Sequence, residues 1–204
     1  KAALTMMALA SLAMLSGSVR VYGPLVALLM AGPLLLWGCG TTGPSFTAKY
    51  EPWRASEENA CISAGAVRQT RFIRTRSALG GPSYCGSERP FEMSAAAGGR
   101  VAMVPPAMLR SPKIPQLERW VTEEVDRAER VHIGQPVVEM KVAASYSCRP
   151  MNHVNGARLS EHGYANALDI SVFTLASGER VTVKGGWRGT EREQAFLRDV
   201  HDGA

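Results

Sequence analysis

The charged residues of this 204-residue chain are unevenly distributed, and this limits which part of it can form a globular core. Between Ala2 and Ala48 the only charged side chain is Arg20. The remaining stretch of about 155 residues carries nearly all the charge and is long enough to bury one sizeable hydrophobic core. We therefore expect one globular domain, preceded by an apolar segment that serves another purpose.

The apolar segment has the features of an export signal. Two apolar runs, residues 2–15 and 24–37, lie on either side of Arg20. Each run has about 14 residues, which is fewer than the ~20 of a membrane-spanning helix and typical of the apolar region of a signal peptide. We predict that residues 1–38 are a targeting segment and that Met14 is the true start of the protein.

A lipidation site is expected where the second run ends. Residues 36–39, Leu-Trp-Gly-Cys, resemble a bacterial lipobox, although Trp37 departs from the small residue that is usual at its position. Residues 39–54 begin with a polar, Gly-rich and Thr-rich stretch that is typical of a flexible tether. We therefore predict a periplasmic lipoprotein, anchored in the membrane through Cys39. A membrane-anchoring hairpin and a plain signal peptide cleaved elsewhere are the alternatives, and all three export the domain.

Export permits disulfide bonds, because the compartments outside the cytosol are oxidising. If Cys39 is lipidated, three cysteines remain, which is an odd number: Cys61, Cys85 and Cys148. Cys61 and Cys85 could form a disulfide. Cys148 would then stay free or pair with a cysteine beyond Ala204.

Hydrophobic periodicity in the rest of the chain predicts both helices and strands. Five apolar side chains between Leu117 and Ala128 recur at helical spacing, and Thr190 with Glu193 is a capping-box signature for a later helix. We expect helices at 116–130 and 191–200, strands at 101–104, 137–146, 167–175 and 180–183, and irregular structure with short strands at 50–100. This mixed order predicts an α+β domain with a small antiparallel sheet flanked by helices.

The chain is basic, with a net charge of +5 and an isoelectric point of about 9.2. It contains no run of five basic residues, and its densest cluster is Arg68, Arg71, Arg74 and Arg76. This pattern is compatible with an ordinary solvated surface or with attraction to an anionic polymer. A nucleic-acid partner is not expected, because only the net charge would support that prediction and because an exported domain does not meet nucleic acid.

The segment 159–171, LSEHGYANALDIS, contains the strongest candidate for a chemical site. His162 and Asp169 are seven residues apart, so a loop histidine and a strand aspartate could face one point. Gly163 and the alanines after it are small, which would let the backbone pack closely behind such a site. A catalytic zinc ion typically has three protein ligands, with His and carboxylate common among them. The spacing alone is equally compatible with a surface histidine and a turn aspartate.

The residues of this segment also resemble a known family. Ser160-Glu161-His162 with Ala165, Ala167 and Asp169-Ile170 resembles the S-x-H-x-x-G-x-A-x-D-[IL] motif of D-Ala-D-Ala carboxypeptidase-like zinc peptidases, whose fold group includes lysostaphin and hedgehog. The closer resemblance is to the bacterial extensin-like C-terminal domain family. It rests on residues 145–149 (SYSCR), residues 158–170, Trp187 and the helix at 196–200, and it covers residues 55–204.

This resemblance implies a role for each matching residue. His162 and Asp169 would be zinc ligands, and Arg149 would stabilise the oxyanion that develops on the substrate carbonyl. Ser160 would contact the substrate or support a ligand, and Asn152 would contact the substrate. The structural alternatives are an ion pair for Arg149 and a loop cap for Ser160.

The resemblance also implies a third zinc ligand and a catalytic base in an H-x-H segment downstream of Ala204. His201 is a poor substitute, because it lies at the end of a predicted helix. Position 165 is Ala where the peptidases have Gly. We therefore expect the domain to be incomplete at its C-terminus, so that the chain as given binds zinc poorly and is inactive.

The function expected for the full-length protein is that of a zinc-dependent peptidase of the bacterial cell envelope, acting on peptidoglycan peptides. Its partners would be peptidoglycan and the membrane that holds its anchor. The alternative is a non-catalytic lipoprotein that has the same fold and binds the cell wall.

Overall fold

A six-stranded sheet organises the part of the chain that the computed structural model describes, residues 43–204. The strands in chain order are β1 (Ile73–Thr75), β2 (Leu79–Gly80), β3 (Gly86–Ser87), β4 (Pro90–Ala96), β5 (Val101–Arg110), β6 (Val137–Ala144), β7 (Asp169–Leu175) and β8 (Arg180–Thr182). The order in the large sheet is β1-β4-β5-β6-β7-β8, and β2 pairs with β3 in a separate hairpin. The predicted targeting segment 1–38, with Met14, and the lipidation site Cys39 lie outside the described residues.

The large sheet is mixed, which confirms the α+β class and corrects the purely antiparallel sheet that the sequence predicted. β5 and β6 are parallel, while the other neighbouring pairs are antiparallel. The chain leaves β5, forms a long helix over residues 113–133 and only then enters β6. A crossover of this length is the connection that a parallel pair of strands requires.

Helices precede β1, connect β5 to β6 and follow β8 in the chain. They are α1 (Trp53–Ser63), α2 (Lys113–Trp120), α3 (Val183–Gly186) and α4 (Glu191–Asp202). Helix α2 continues to Ile133 through two π-helical stretches, Val121–Val125 and Glu129–Ile133, with one α-helical turn, Asp126–Ala128, between them. The helices predicted at 116–130 and 191–200 are confirmed, and both extend beyond the predicted limits. No helix within residues 43–204 has the length and apolar character that crossing a membrane requires.

Helix α1 was missed in the region predicted to be irregular, because it lacks an apolar stripe. Its one buried side chain is Glu58, which is held by charged and polar partners. The pattern of apolar residues therefore gives no signal for this helix.

Strand β5 also differs from its prediction, since it continues through Pro105-Pro106 instead of ending at Val104. Residues 104–106 are exposed, and β5 pairs with β4 on both sides of them, with a shift in register between Met93 and Ala95. Prolines lack the N–H that a continuous ladder would need, and an irregular stretch of this kind is where sheets accept them.

The hydrophobic core lies between the sheet and helices α2 and α4. Met93, Met103, Val121 and Val125 are fully buried there. Phe196 of α4 contacts the ring of Phe173 on β7 edge to face, with 5.1 Å between ring centroids. The predicted capping box holds the start of α4: the Thr190 N–H donates to the Glu193 carboxylate, and the Glu193 N–H donates to the Thr190 hydroxyl.

The chain ahead of α1, which falls within the predicted tether 39–54, packs on the domain. Phe46 is buried, and Thr47 exchanges backbone hydrogen bonds with residues 157 and 159 at 2.9 and 2.7 Å. The buried ring of Phe46 and the backbone hydrogen bonds of Thr47 hold this stretch on the domain. The polar composition of the stretch does not indicate this packing.

The predicted Cys61–Cys85 disulfide is wrong, because Cys85 forms its bond with Cys148. Cys148 therefore has its partner within the domain, and no cysteine beyond Ala204 is needed for it. Cys61 lies in α1 and forms no disulfide with another cysteine of residues 43–204.

Candidate metal centre

His162 and Asp169 come together at the end of the sheet where β6 stops and β7 begins. His162 lies in a 3₁₀ turn, Glu161–Tyr164, and Asp169 is the first residue of β7, opposite Ala144 of β6. The side chain of His162 is buried and that of Asp169 is exposed. Their arrangement gives a histidine fixed by the protein and a carboxylate that faces solvent.

Both ring nitrogens of His162 have defined neighbours. Nδ1 lies 2.6 Å from the backbone carbonyl oxygen of Ser145, and Nε2 lies 3.1 Å from Oδ2 of Asp169. A carbonyl oxygen only accepts hydrogen bonds, so Nδ1 is the nitrogen that carries a proton. Nε2 and the carboxylate then both present lone pairs, which come this close only when they share a proton or a cation.

This donor set fits a zinc ion as far as two ligands allow. A histidine whose Nδ1–H donates to a backbone carbonyl is oriented to bind a metal through Nε2. Two ligand atoms on one tetrahedral zinc ion, each about 2.1 Å from it, are separated by about 3.4 Å. The 3.1 Å between Nε2 and Oδ2 is close to that separation.

The segment after β6 fixes the histidine from one side. The hydroxyl of Ser145 accepts a hydrogen bond from the Met108 N–H of β5 at 3.1 Å, and the Ser147 N–H donates to the His162 carbonyl at 3.1 Å. The carbonyl that holds Nδ1 is therefore tied to the centre of the sheet.

The turn that carries His162 has a tightly constrained backbone. Ser160 caps it, because its buried hydroxyl accepts from the His162 N–H. A Cβ on Gly163 would lie 2.5 Å from a terminal methyl group of the buried Leu159 side chain, so a larger residue would displace that side chain, in line with the small-residue argument. Ala165 has a left-handed conformation with φ of 53°. A position of this kind favours glycine, which gives a physical reason for the Gly of the peptidase motif there.

An ion pair that connects α1 to the turn was not predicted from the sequence. The Arg54 guanidinium donates to both oxygens of Glu161 at 2.9 and 3.0 Å and lies over the Tyr164 ring, 3.9 Å from its centroid. Burial raises the pKa of Glu161, but hydrogen bonds from Arg54 and Asn166 outweigh burial and hold that pKa below its usual range. Glu161 is therefore ionised, and Arg54 acts as a clamp on the turn.

Breaking this clamp should loosen the turn. We expect Arg54→Met to reduce the free energy of unfolding by roughly 1–3 kcal/mol, because hydrogen bonds to a charged group are lost. Amide exchange at residues 162–165 should accelerate by more than the global change in stability explains. Hydrogen exchange followed by NMR measures both effects, with Arg68→Met as a control that removes an exposed cation. Equal exchange at the turn in the two variants would show that the clamp does not order it.

Arg149 and Asn152 are the other residues that the sequence predicts to act on the substrate. The backbone of Arg149 lies beside the turn, since its carbonyl accepts from the Ser160 N–H at 3.0 Å. Its half-buried guanidinium contacts the Pro150 carbonyl and forms no ion pair with any residue of 43–204, so the structural alternative of an ion pair is not observed. Asn152 is exposed in the 151–153 turn, with φ of 53°, and its side chain forms no hydrogen bond with His162 or Asp169.

The remaining histidines lie elsewhere. His132 pairs with Asp199 at 2.9 Å, and His201 is exposed beside the Trp187 ring. His153 is exposed on the same loop as Asn152. Among the described residues, no group of three or more His, Cys, Asp or Glu side chains is placed to hold a metal ion.

Sequence reasoning missed the two contacts that fix the site, because neither has a local signal. The Ser145 carbonyl is a backbone group 17 residues from His162, and Arg54 is 107 residues from Glu161. The Ser145–Arg149 segment was noticed only through its resemblance to a family pattern.

Comparison with known proteins supports that resemblance. A family model described as "Extensin-like protein C-terminus" matches residues 59–204 of the chain. No curated protein and no solved structure matches the chain significantly.

Proposed function

The chain belongs to the extensin-like protein C-terminus family, and from this premise we propose that the full-length protein is a zinc-dependent peptidase of the bacterial cell envelope that acts on peptidoglycan peptides. The observation that carries the proposal is the pairing of His162 Nε2 with Asp169 Oδ2, with Nδ1 held by a backbone carbonyl. This is the orientation in which a histidine and a carboxylate bind one metal ion.

His162 and Asp169 would hold the metal. When bound, zinc supplies a Lewis acid that polarises a carbonyl and lowers the pKa of water. The contribution of His162 is a lone pair kept in place by the Ser145 carbonyl. The contribution of Asp169 is an exposed negative charge that faces the open side of the site.

Arg149 would stabilise negative charge on the substrate carbonyl oxygen. Its guanidinium is not neutralised by a carboxylate of the described residues, and its backbone is fixed beside the turn through Ser160. A cation that is held in place before the reaction stabilises a developing oxyanion without rearrangement.

The finer features of the proposal come from the family resemblance. We propose the hedgehog and D-Ala-D-Ala peptidase type of α+β fold, with a third zinc ligand and the catalytic base contributed by residues after Ala204. We also propose export to the periplasm and anchoring through Cys39, where the sequence resembles a lipobox.

A second candidate is a wall-binding protein without catalysis. The direct contact between His162 and Asp169 supports it, because a shared proton would satisfy both groups at 3.1 Å without a metal. In that case the pair would stabilise the turn as a hydrogen bond or ion pair.

The two candidates differ in zinc content and in peptide cleavage. We expect the purified full-length protein to contain about one zinc ion per chain and to cleave muropeptides. His162→Ala and Asp169→Asn should each reduce zinc content and lower activity on the order of a hundredfold or more, since even residues that only support metal ligands contribute 10–100-fold. Elemental analysis and chromatography of the muropeptide products measure the two quantities.

His201→Ala is the matched control, because it removes an exposed histidine outside the site. It should leave zinc content and activity unchanged. Full activity in His162→Ala would refute the assignment of His162 as a zinc ligand. The absence of zinc and of cleavage in the wild-type protein would support the non-catalytic candidate instead.

A further inference from the structure

Three exposed aromatic side chains gather on one face of the domain, beside the start of α1. Tyr50, Trp53 and Tyr84 are 71%, 50% and 48% exposed. Trp187 is the one other comparably exposed aromatic residue among the described residues. Large aromatic rings left in contact with water are unfavourable, and a cluster of them typically marks a binding surface.

These aromatic side chains border a groove. Tyr50 and Tyr84 face each other across 5.9 Å between ring centroids, with a tilt of 43°. Together with Tyr164 they line a groove of about 230 Å³, which we call the aromatic groove. Trp53 lies next to it, with its ring against the Arg54 guanidinium at 4.5 Å. The rings thus offer several apolar faces along one depression.

A second depression adjoins the aromatic groove. That depression has a volume of about 270 Å³ and reaches Arg158 and Leu159. The two share four lining residues: Lys49, Glu51, Arg54 and Tyr164. Two adjoining depressions suit a chain molecule, which can reach both, more than a small compact ligand.

The charges of the aromatic groove favour an uncharged, polar ligand. Glu51 is paired with Arg54, and Glu58 is paired with Arg110. Lys49 and Glu88 line the groove and form no ion pair within residues 43–204. One free charge of each sign attracts neither a polyanion nor a polycation, but both groups can hydrogen-bond to hydroxyl and amide groups.

Sugar rings combine the two properties that this groove would recognise. They present apolar C–H faces, which pack against aromatic rings, and hydroxyl groups at their edges, which suit Lys49 and Glu88. We propose that the aromatic groove binds an oligosaccharide of N-acetylated hexosamines. The identification of this glycan with that of the cell wall rests on the proposed function, whereas the binding itself does not.

The groove and the candidate metal centre share a structural element. Tyr164 lines the groove and belongs to the same 3₁₀ turn as His162. The Arg54 clamp on Glu161 also forms part of the groove wall. A glycan strand bound there would keep its peptide branches near the turn, which raises their local concentration for a reaction at His162.

The test uses chitotetraose, an N-acetylglucosamine oligomer without a peptide, and isothermal titration calorimetry on the purified protein. We expect saturable binding that persists in EDTA, because the groove needs no metal. Tyr50→Ala and Tyr84→Ala should each weaken binding at least tenfold. Tyr84→Phe should bind within about twofold of the wild type, because the stacking face remains.

Trp187→Ala is the control, since it removes an exposed aromatic ring that does not line the groove. It should bind like the wild type, and thermal unfolding should show that all four variants are folded. No binding of chitotetraose, or wild-type affinity in both Tyr50→Ala and Tyr84→Ala, would overturn the proposal. So would selective binding of a sugar-free stem peptide, or self-association through Tyr84. If the wild-type protein binds the sugar but does not cleave muropeptides, the result counts against the peptidase proposal and not against the sugar-binding proposal.

Discussion

Replacement of Glu58 by Ala is expected to lower the free energy of unfolding by about 3 kcal/mol, because it removes the buried partner of a buried guanidinium. The side chains of Arg110 and Glu58 are only 1% and 5% exposed, with 3.3 Å between Nε and Oε1. Glu58 also accepts from the Ser87 hydroxyl at 2.8 Å and from the Arg89 N–H at 3.2 Å. Removing the carboxylate therefore leaves three donors without an acceptor.

The expected loss is at the lower end of the range for a broken buried ion pair, which is about 3–5 kcal/mol. Arg110 retains two other acceptors, the Glu57 carboxylate at 2.8 Å and the Arg54 carbonyl at 2.6 Å. The effect should also reach the candidate metal centre. The backbone N–H of Arg110 donates to the carbonyl of Ala165 at 2.9 Å, and Ala165 directly follows the turn that carries His162.

Urea denaturation measures this difference, and Glu57→Ala is the matched control. Glu57 contacts the same guanidinium but is exposed, so its removal should change stability by no more than about 1 kcal/mol. The double variant Glu58→Leu with Arg110→Met should recover part of the loss, because apolar side chains of similar size avoid the uncompensated charge. Equal losses for Glu57→Ala and Glu58→Ala would contradict the assignment of Glu58 as the buried partner.

The contrast between this ion pair and the predicted helices shows which parts of the fold are visible in the sequence. The helix containing Leu117 and Trp120 and the capping box at Thr190 depend on neighbours within a few residues, and both predictions are confirmed. Helix α1 buries Glu58 against partners up to 52 residues away, so local periodicity contains no trace of it. The parallel pairing of β5 with β6 likewise depends on the path of a long crossover.

The candidate site also has parts that the sequence predicts and parts that it does not. His162 and Asp169 were found because seven residues separate them and because their segment resembles a family motif, and the structure brings them within 3.1 Å. The Ser145 carbonyl is a backbone group that any residue could supply, so sequence cannot single it out. The disulfide of Cys85 was paired wrongly, because cysteine counting gives the possible partners but no distances.

Loss of the Cys85–Cys148 disulfide should lower the free energy of unfolding by about 4 kcal/mol, through the greater freedom of the unfolded chain. The two cysteines are 63 residues apart, so the bond closes a long loop that the reduced chain would have to order on folding. Cys85→Ser and Cys148→Ser should show this loss in urea denaturation. The wild-type protein should lose a similar amount in a reducing agent.

The same change should weaken the candidate metal centre. Cys148 lies between Ser147, whose N–H donates to the His162 carbonyl, and Arg149, whose carbonyl accepts from Ser160. Without the disulfide this segment is attached to the rest of the domain by weaker contacts, and the acceptor for His162 Nδ1 belongs to the same stretch. We therefore expect Cys148→Ser in the full-length protein to bind zinc more weakly than the wild type, with an effect that exceeds that of Cys61→Ser.

Cys61→Ser separates the role of the disulfide from that of a cysteine as such, because Cys61 is half-buried and forms no disulfide within residues 43–204. The substitution should lower the free energy of unfolding by less than about 1 kcal/mol, which is the range for a substitution that creates no cavity and removes no bond. It should also remain sensitive to reducing agents, whereas the Cys85 and Cys148 variants should not. A Cys61→Ser protein as unstable as Cys148→Ser, or peptide mapping that finds Cys61 bonded to Cys85 or Cys148, would refute this pairing and with it the anchoring of the segment beside His162.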